Sequence, residues 1–157
     1  MVEINEVRVV GKDLPISTKD SIEICNFIRR RTLEDSKKIL EGVIDEKRVI
    51  PYKRFNMDRG HKKGKIGPGR YPKKASLHIL QVLESAEANA KNLNLDVKNL
   101  YIRSIIANKA SRSWHNGRQR RTKTKRTHVN VILIEKKDKE KFVLNLPVQK
   151  KRSKGGR

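Results

Sequence analysis

The sequence has one cysteine, Cys25, five prolines, and aromatic side chains at only 4% of its 157 positions. A lone cysteine cannot close an internal disulfide, so a disulfide-stapled framework is excluded and a reducing, cytoplasmic compartment is expected. Long apolar runs are missing as well. No stretch approaches the roughly 20 apolar residues that cross a bilayer, and no charged-then-apolar leader opens the chain. Neither a membrane partner nor export is therefore expected. Acidic residues are scarce beside basic ones, 17 against 39, which leaves a formal net charge of +22. Such a charge resists compaction and attracts polyanions. The length suits a single domain able to bury about 70% of the surface its unfolded chain exposes.

What is present is unevenly placed. Residues 1–52 carry ten basic and ten acidic side chains, and residues 75–108 three of each. The excess lies in 53–74 (nine basic, one acidic), 109–126 (eight basic, none acidic) and 136–157 (nine basic, two acidic). A solvated surface explains a single run of mixed sign. Three nearly single-signed runs, each rich in Gly, Pro, Ser or Thr, instead point to a polyanion partner for a neutral body.

Within that body three stretches have helical periodicity. Ser17-Thr18-Lys19-Asp20 resembles a capping box ahead of Ile22, Cys25 and Ile28. Thr32-Leu33-Glu34-Asp35 repeats the signal ahead of Leu33, Leu40, Val43 and Ile44. Pro72 suits the first turn of a third helix, whose face is Ala75, Ile79, Val82, Leu83, Ala86 and Ala90. Cys25 on an apolar face reads as core rather than as a reactive thiol.

Leu100–Ile106 and Val129–Ile134 are β-branched and partly alternating, and Val7–Val10 is a weaker strand. No crossover helix separates the two strong strands, so they pair antiparallel. Asn116-Gly117 is a favoured two-residue hairpin turn. A ribbon closed there pairs Leu100 with Leu133 and Ile102 with Val131, matching apolar positions. Its outer half, Ser111 to Thr127, has almost no apolar side chains, so it is expected to be mobile when free and ordered by its partner. The fold class predicted is α+β: three helices packed on a small antiparallel three-stranded sheet, with a long protruding basic β-hairpin. Residues 1–137 form one globular domain that includes the arm 109–126, and 138–157 form a basic C-terminal tail.

Catalytic patterns are not found. Gly60-His61-Lys62-Lys63-Gly64-Lys65-Ile66 has the wrong spacing for a phosphate-binding loop and lacks its hydroxyl. The four histidines, His61, His78, His115 and His128, are scattered without zinc-ligand spacing, and read as surface or backbone-contacting residues. Glu84 and Glu87 fit a solvated helix face. No enzyme activity, cofactor or metal is expected. Aromatic platforms for reading single-stranded RNA are few. Only Trp114 stands in a basic setting suited to stacking, and packing on the opposite strand's aliphatic stems explains it equally well. The remaining inventory suits phosphate and shape contacts. Extended basic segments on a small body fit threading into folded RNA. A DNA-architectural protein is the alternative, although the arm offers only Trp114 as a wedge and no helix is strongly basic.

Several blocks together resemble one family. They are Ile16-Ser17-Thr18-Lys19, Ile22-Glu23-Ile24-Cys25 and Phe27-Ile28-Arg29; Val49-Ile50-Pro51-Tyr52-Lys53-Arg54-Phe55-Asn56; Gly69-Arg70-Tyr71-Pro72-Lys73-Lys74-Ala75; Ala86-Glu87-Ala88-Asn89-Ala90; Ile106-Ala107-Asn108-Lys109-Ala110; and His128-Val129-Asn130-Val131. Across about residues 2–137 the chain resembles the large-subunit ribosomal protein twenty-two family, in the universal naming, of the archaeal and eukaryotic type. The resemblance implies a structural constituent of the large ribosomal subunit that binds its rRNA. It implies a hairpin tip lining the nascent-peptide exit tunnel and a body near the tunnel mouth. Gly117-Arg118 corresponds to the Gly-Arg of the family's tip. Trp114-His115 stands where the family usually has Arg-Ala, and the first strand of the hairpin is a few residues shorter.

The residues expected to contact RNA are Lys53, Arg54, Arg59, Lys62, Lys63, Lys65, Arg70 and Lys73 in the loop. In the arm they are Arg112, Arg118, Arg120, Arg121, Lys123, Lys125 and Arg126. Trp114, His115 and Gly117 are expected at the tunnel tip. Expected partners are large-subunit rRNA, neighbouring large-subunit proteins and nascent peptide, without self-association.

Overall fold

The computed structural model describes residues 6–64 and 66–135. Lys65 and the tail 138–157 lie outside the described residues. The elements run β1 (Glu6–Leu14), α1 (Thr18–Ile28), α2 (Leu33–Ile44), β2 (Ile50–Pro51), β3 (His61–Lys62), β4 (Gly67–Arg70), α3 (Lys73–Asn92), β5 (Leu100–Lys109) and β6 (Thr127–Glu135).

The main sheet has the antiparallel order β1-β6-β5. Strand geometry sends alternate side chains to opposite faces. Val129, Val131 and Leu133 of β6 therefore point inward together with Ile102 and Ile105 of β5, all of them buried. The three helices cover that face. The α3 stripe read from the sequence is buried at every position, Ala75, Ile79, Val82, Leu83, Ala86 and Ala90. It runs close over β1 at Gly11, where a Cβ would stand 2.7 Å from Val82 Cγ2. Thr32 caps α2 by accepting the N–H of Asp35 at 3.2 Å. These features match the predicted α+β class.

Several local expectations are corrected. Ser17 is the N-cap of α1, but its side chain makes no cap bond. Asp20 does not reach back either, because its carboxylate accepts from the Tyr52 hydroxyl. The buried face of α1 is Ser21, Glu23, Ile24, Cys25 and Ile28, with Ile22 only half-buried. In α2, Ile39 is buried and Ile44 is not.

The β5–β6 register is displaced from the predicted one. Leu100 faces Glu135 and Ile102 faces Leu133; after an irregularity between Ile102 and Ser104, Ile105 faces Val131. The displacement originates at the tip, where Asn116-Gly117 is not a two-residue turn. Asn116 is extended (φ −91°), only Gly117 takes positive φ, and Gly117–Gln119 form a short 3-10 turn. The chain then closes through a Trp114–Lys123 bridge and the His115 N–H to Thr122 carbonyl bond at 3.0 Å. A longer loop shifts the register of the whole ribbon.

Thr127, assigned to the solvated arm, is fully buried. Its hydroxyl donates to the Ile16 carbonyl at 3.0 Å and lies 2.9 Å from the Thr18 hydroxyl, pinning the start of β6 to the start of α1. The Gly/Pro-rich loop is also not a plain loop. β2, β4 and β3 form a second small antiparallel sheet, extended by the Tyr52 N–H to Pro68 carbonyl bond at 2.9 Å.

Candidate nucleic-acid interface

The basic loop begins where α1 and β2 meet. Glu23 is buried, 2% exposed, on the inner face of α1. Its carboxylate accepts the backbone N–H groups of Lys53, Arg54 and Phe55 at 3.2, 2.8 and 2.8 Å. A buried carboxylate needs such donors, and three main-chain N–H groups satisfy it without a cation. The side chains of Lys53 and Arg54 are thereby left pointing to solvent.

A second anchor lies beside it. Tyr52 is buried and donates its hydroxyl to Asp20 at 2.8 Å. Burial and the neighbouring Asp20 carboxylate both push this phenol well above its ordinary range. Arg59 stacks 4.8 Å over the Tyr52 ring and comes within 3.7 Å of Asp20. From the sequence, Asp20 reads only as a capping residue and Glu23 has no role of its own. Each acts on residues about thirty positions downstream, which no local pattern signals.

These contacts divide the predicted RNA-binding residues into two groups. The first is engaged by the protein itself. It contains Arg59; Arg54, 5.3 Å over Phe55; Lys62, 5.2 Å over Tyr71; and Lys73, paired with Glu46 at 2.8 Å. In the arm, Arg112 donates to the carbonyls of Thr124 and Lys123 at 3.0 and 3.3 Å. Lys123 stands 4.4 Å over Trp114, and Arg126 donates to the Asp13 carbonyl at 2.9 Å. The second group comprises Lys53, Lys63, Arg70, Arg118, Arg120, Arg121 and Lys125. All seven are exposed, and their side chains make no hydrogen bond or ion pair among the described residues.

The root and flank of the arm share a groove with the first turns of α1 and α3. It is lined by Ser17 and Asp20, by Lys73 and Lys74, and by His115, Lys123, Lys125 and Arg126. Lys74 was not among the predicted contacts. At the tip, Trp114 is 59% exposed, so packing under Lys123 leaves most of the indole open.

No group of three or more metal-ligating side chains occurs among the described residues. His128 accepts the Asp13 N–H through Nδ1 at 3.1 Å, a backbone contact as expected for it. Cys25 is buried, and its thiol is pushed up to about 12 by burial, which leaves it inert as a nucleophile. Glu87 is not a solvated residue of the helix face: it pairs with Lys37 and, at 2.8 Å, with Lys91. No described helix is long and apolar enough to cross a membrane.

The sequence pattern of the family described as ribosomal protein L22p/L17e matches residues 9–134. The chain is 45% identical over 135 residues to the large ribosomal subunit protein uL22 of Methanosphaera stadtmanae, covering 82% of this chain and 88% of that protein. It is 38% identical over 141 residues to the uL22 protein of Nanoarchaeum equitans, covering 85% and 81%. To that of Sulfurisphaera tokodaii it is 36% identical over 140 residues, covering 82% and 88%.

Proposed function

The chain belongs to the ribosomal protein L22p/L17e family, and on that premise we propose that it is a structural constituent of the large ribosomal subunit. The match over residues 9–134 carries this reading, because it spans both sheets, all three helices and the arm. The partners are large-subunit rRNA and neighbouring ribosomal proteins, met in the cytoplasmic ribosome. The role is scaffolding, without catalysis.

RNA is held by phosphate contacts from the exposed cations, Lys53, Lys63 and Arg70 on the loop and Arg118, Arg120, Arg121 and Lys125 on the arm. Arg59, Arg112 and Arg126 serve mainly to shape those two segments. The tip residues Trp114, His115 and Gly117 stand at the nascent-peptide exit tunnel, with the globular body, outside the arm 109–126, near its mouth. The basic tail 138–157 adds further RNA contact through charge. The DNA-architectural alternative gains no support, since the named relatives are ribosomal proteins.

Sedimentation of a lysate in high salt tests the assignment. The protein is expected to co-migrate with large subunits, and recovery in a chromatin or free fraction would overturn it. Deleting 111–126 is expected to leave the body folded while impairing incorporation; unchanged assembly would remove the arm as an anchor.

A further inference from the structure

A groove separate from the arm is formed where the α2–β2 connection meets the small sheet. Its volume is about 790 Å³, and Lys47, Arg48, Lys53, Lys62 and Lys63 all line it. No acidic side chain among the described residues does. The five cations come from three separate stretches of chain. Among the described residues the only carboxylate paired with any of them is Asp45, 3.1 Å from Lys47 at a solvent-exposed edge. Lys47 and Arg48 belong to the electrically balanced part of the sequence, so charge counting along the chain passes over them. Tertiary structure gathers them with the loop lysines.

The walls between the cations are apolar. Phe27 and Tyr71 contribute partly exposed rings, and Ile66, 37% exposed, stands with them. Arg48 lies 5.9 Å from the Phe27 ring centroid, and Lys62 lies 5.2 Å from that of Tyr71. Cations at the rim of a partly aromatic trough are the arrangement that holds single-stranded nucleic acid, with phosphates on the lysines and a base against a ring. A duplex keeps its bases stacked on one another and would offer no free base face to the apolar wall.

We infer that this groove binds an unpaired nucleotide of RNA, its base against Tyr71 and its flanking phosphates on Lys47, Arg48 and Lys63. The inference rests on the RNA-binding reading and adds a second, base-contacting subsite to it. The groove does not discriminate strongly among bases, because apolar contact with a ring face is open to every base.

The test is binding of the full chain to protein-free large-subunit rRNA across a salt series, with chemical footprinting of the RNA. In the triple variant Lys47→Gln/Arg48→Gln/Lys63→Gln, affinity is expected to fall about tenfold or more, and the slope of log K against log salt to shrink by roughly two. Tyr71→Leu is expected to weaken binding roughly tenfold with the salt slope unchanged, and to expose one unpaired nucleotide in the footprint. The control Lys98→Gln, an exposed cation outside the loop, the arm and this groove, should leave that nucleotide protected. Circular dichroism and the melting midpoint confirm that each variant is folded, and Tyr71→Phe, which keeps the ring, should restore binding if the ring is what matters. Wild-type affinity and slope in the triple variant, or protection confined to paired RNA, would overturn the groove. Failure of the wild-type chain to bind this RNA would instead overturn the functional assignment itself.

Discussion

The carboxylate of Glu23 on α1 accepts the backbone N–H of Arg54 at 2.8 Å, so a buried acid sets the direction in which a basic loop leaves the body. Removing it tests how much of the loop depends on that one side chain. Glu23→Ala leaves three N–H groups without their acceptor and is expected to cost about 2–4 kcal/mol. Glu23→Gln keeps one oxygen for Arg54 and Phe55 and turns a donor toward Lys53, so it should cost less. Denaturant unfolding measures both, and amide exchange at 53–55 should accelerate in each. Equal stability of Glu23→Ala and wild type would refute the clamp.

Two neighbouring glycines separate crowding from backbone strain. A Cβ on Gly69 would lie 2.5 Å from Val49 Cγ1 and 3.2 Å from the Ile50 carbonyl oxygen, where β2 pairs with β4. Gly69→Ala is expected to destabilise by about 1–3 kcal/mol through that overlap. Gly67 has open space around it but a φ of +68°. Gly67→Ala should therefore cost only about 1–2 kcal/mol of left-handed strain. A thermal melt of each variant checks the order.

Glu87 links acid stability to the α2–α3 contact. The hydrogen bond from Lys37, with a second from Lys91, holds its carboxyl below the ordinary value of 4.5. The folded state thus favours the ionised form, and its contribution is complete above about pH 4.5. It is lost as pH falls through the lower folded value. Glu87→Gln is expected to flatten the stability profile as pH falls through and below 4.5, relative to wild type. Parallel profiles for the two proteins would contradict the pairing.

Cys25 reports global opening. Its thiol is buried, and with the value raised to about 12 almost no native thiolate exists at pH 8. Labelling by a thiol-specific disulfide reagent is expected to proceed only through unfolding and to accelerate with denaturant. Rapid labelling of the native protein would show an exposed thiol.

Trp114 is the sole tryptophan and so marks the arm. With the indole 59% exposed, bound large-subunit RNA is expected to change its emission, and Lys123→Met should alter the spectrum of the free protein by removing the ammonium at 4.4 Å. An unaltered spectrum under conditions where RNA is bound would place the tip away from RNA.

Features that depend on neighbours along the chain are legible in the amino-acid order alone. The α3 stripe is one, because a helix presents every third or fourth residue to the same surface. The Thr32 cap is another, because donor and acceptor lie three residues apart. The β2–β4–β3 sheet cannot be read this way: two of its strands have two residues each, too short to show alternation. The ribbon register fails for a related reason, since a turn pattern at Asn116-Gly117 fixes pairing only if the chain turns there.

By itself the sequence determined the α+β class, the central apolar faces, the lone inert thiol and the clustering of positive charge in a loop and an arm. These follow from periodicity, counting and local capping. Only the tertiary structure decided that Glu23 and Asp20 hold the loop, that Thr127 is core, that seven of the fifteen expected RNA-binding cations contact the protein's own groups, and that Lys47 and Arg48 join the loop lysines around Tyr71. The physical reason is shared: each depends on groups far apart in the chain that meet only after folding, and a linear pattern records spacing along the chain rather than distance through space.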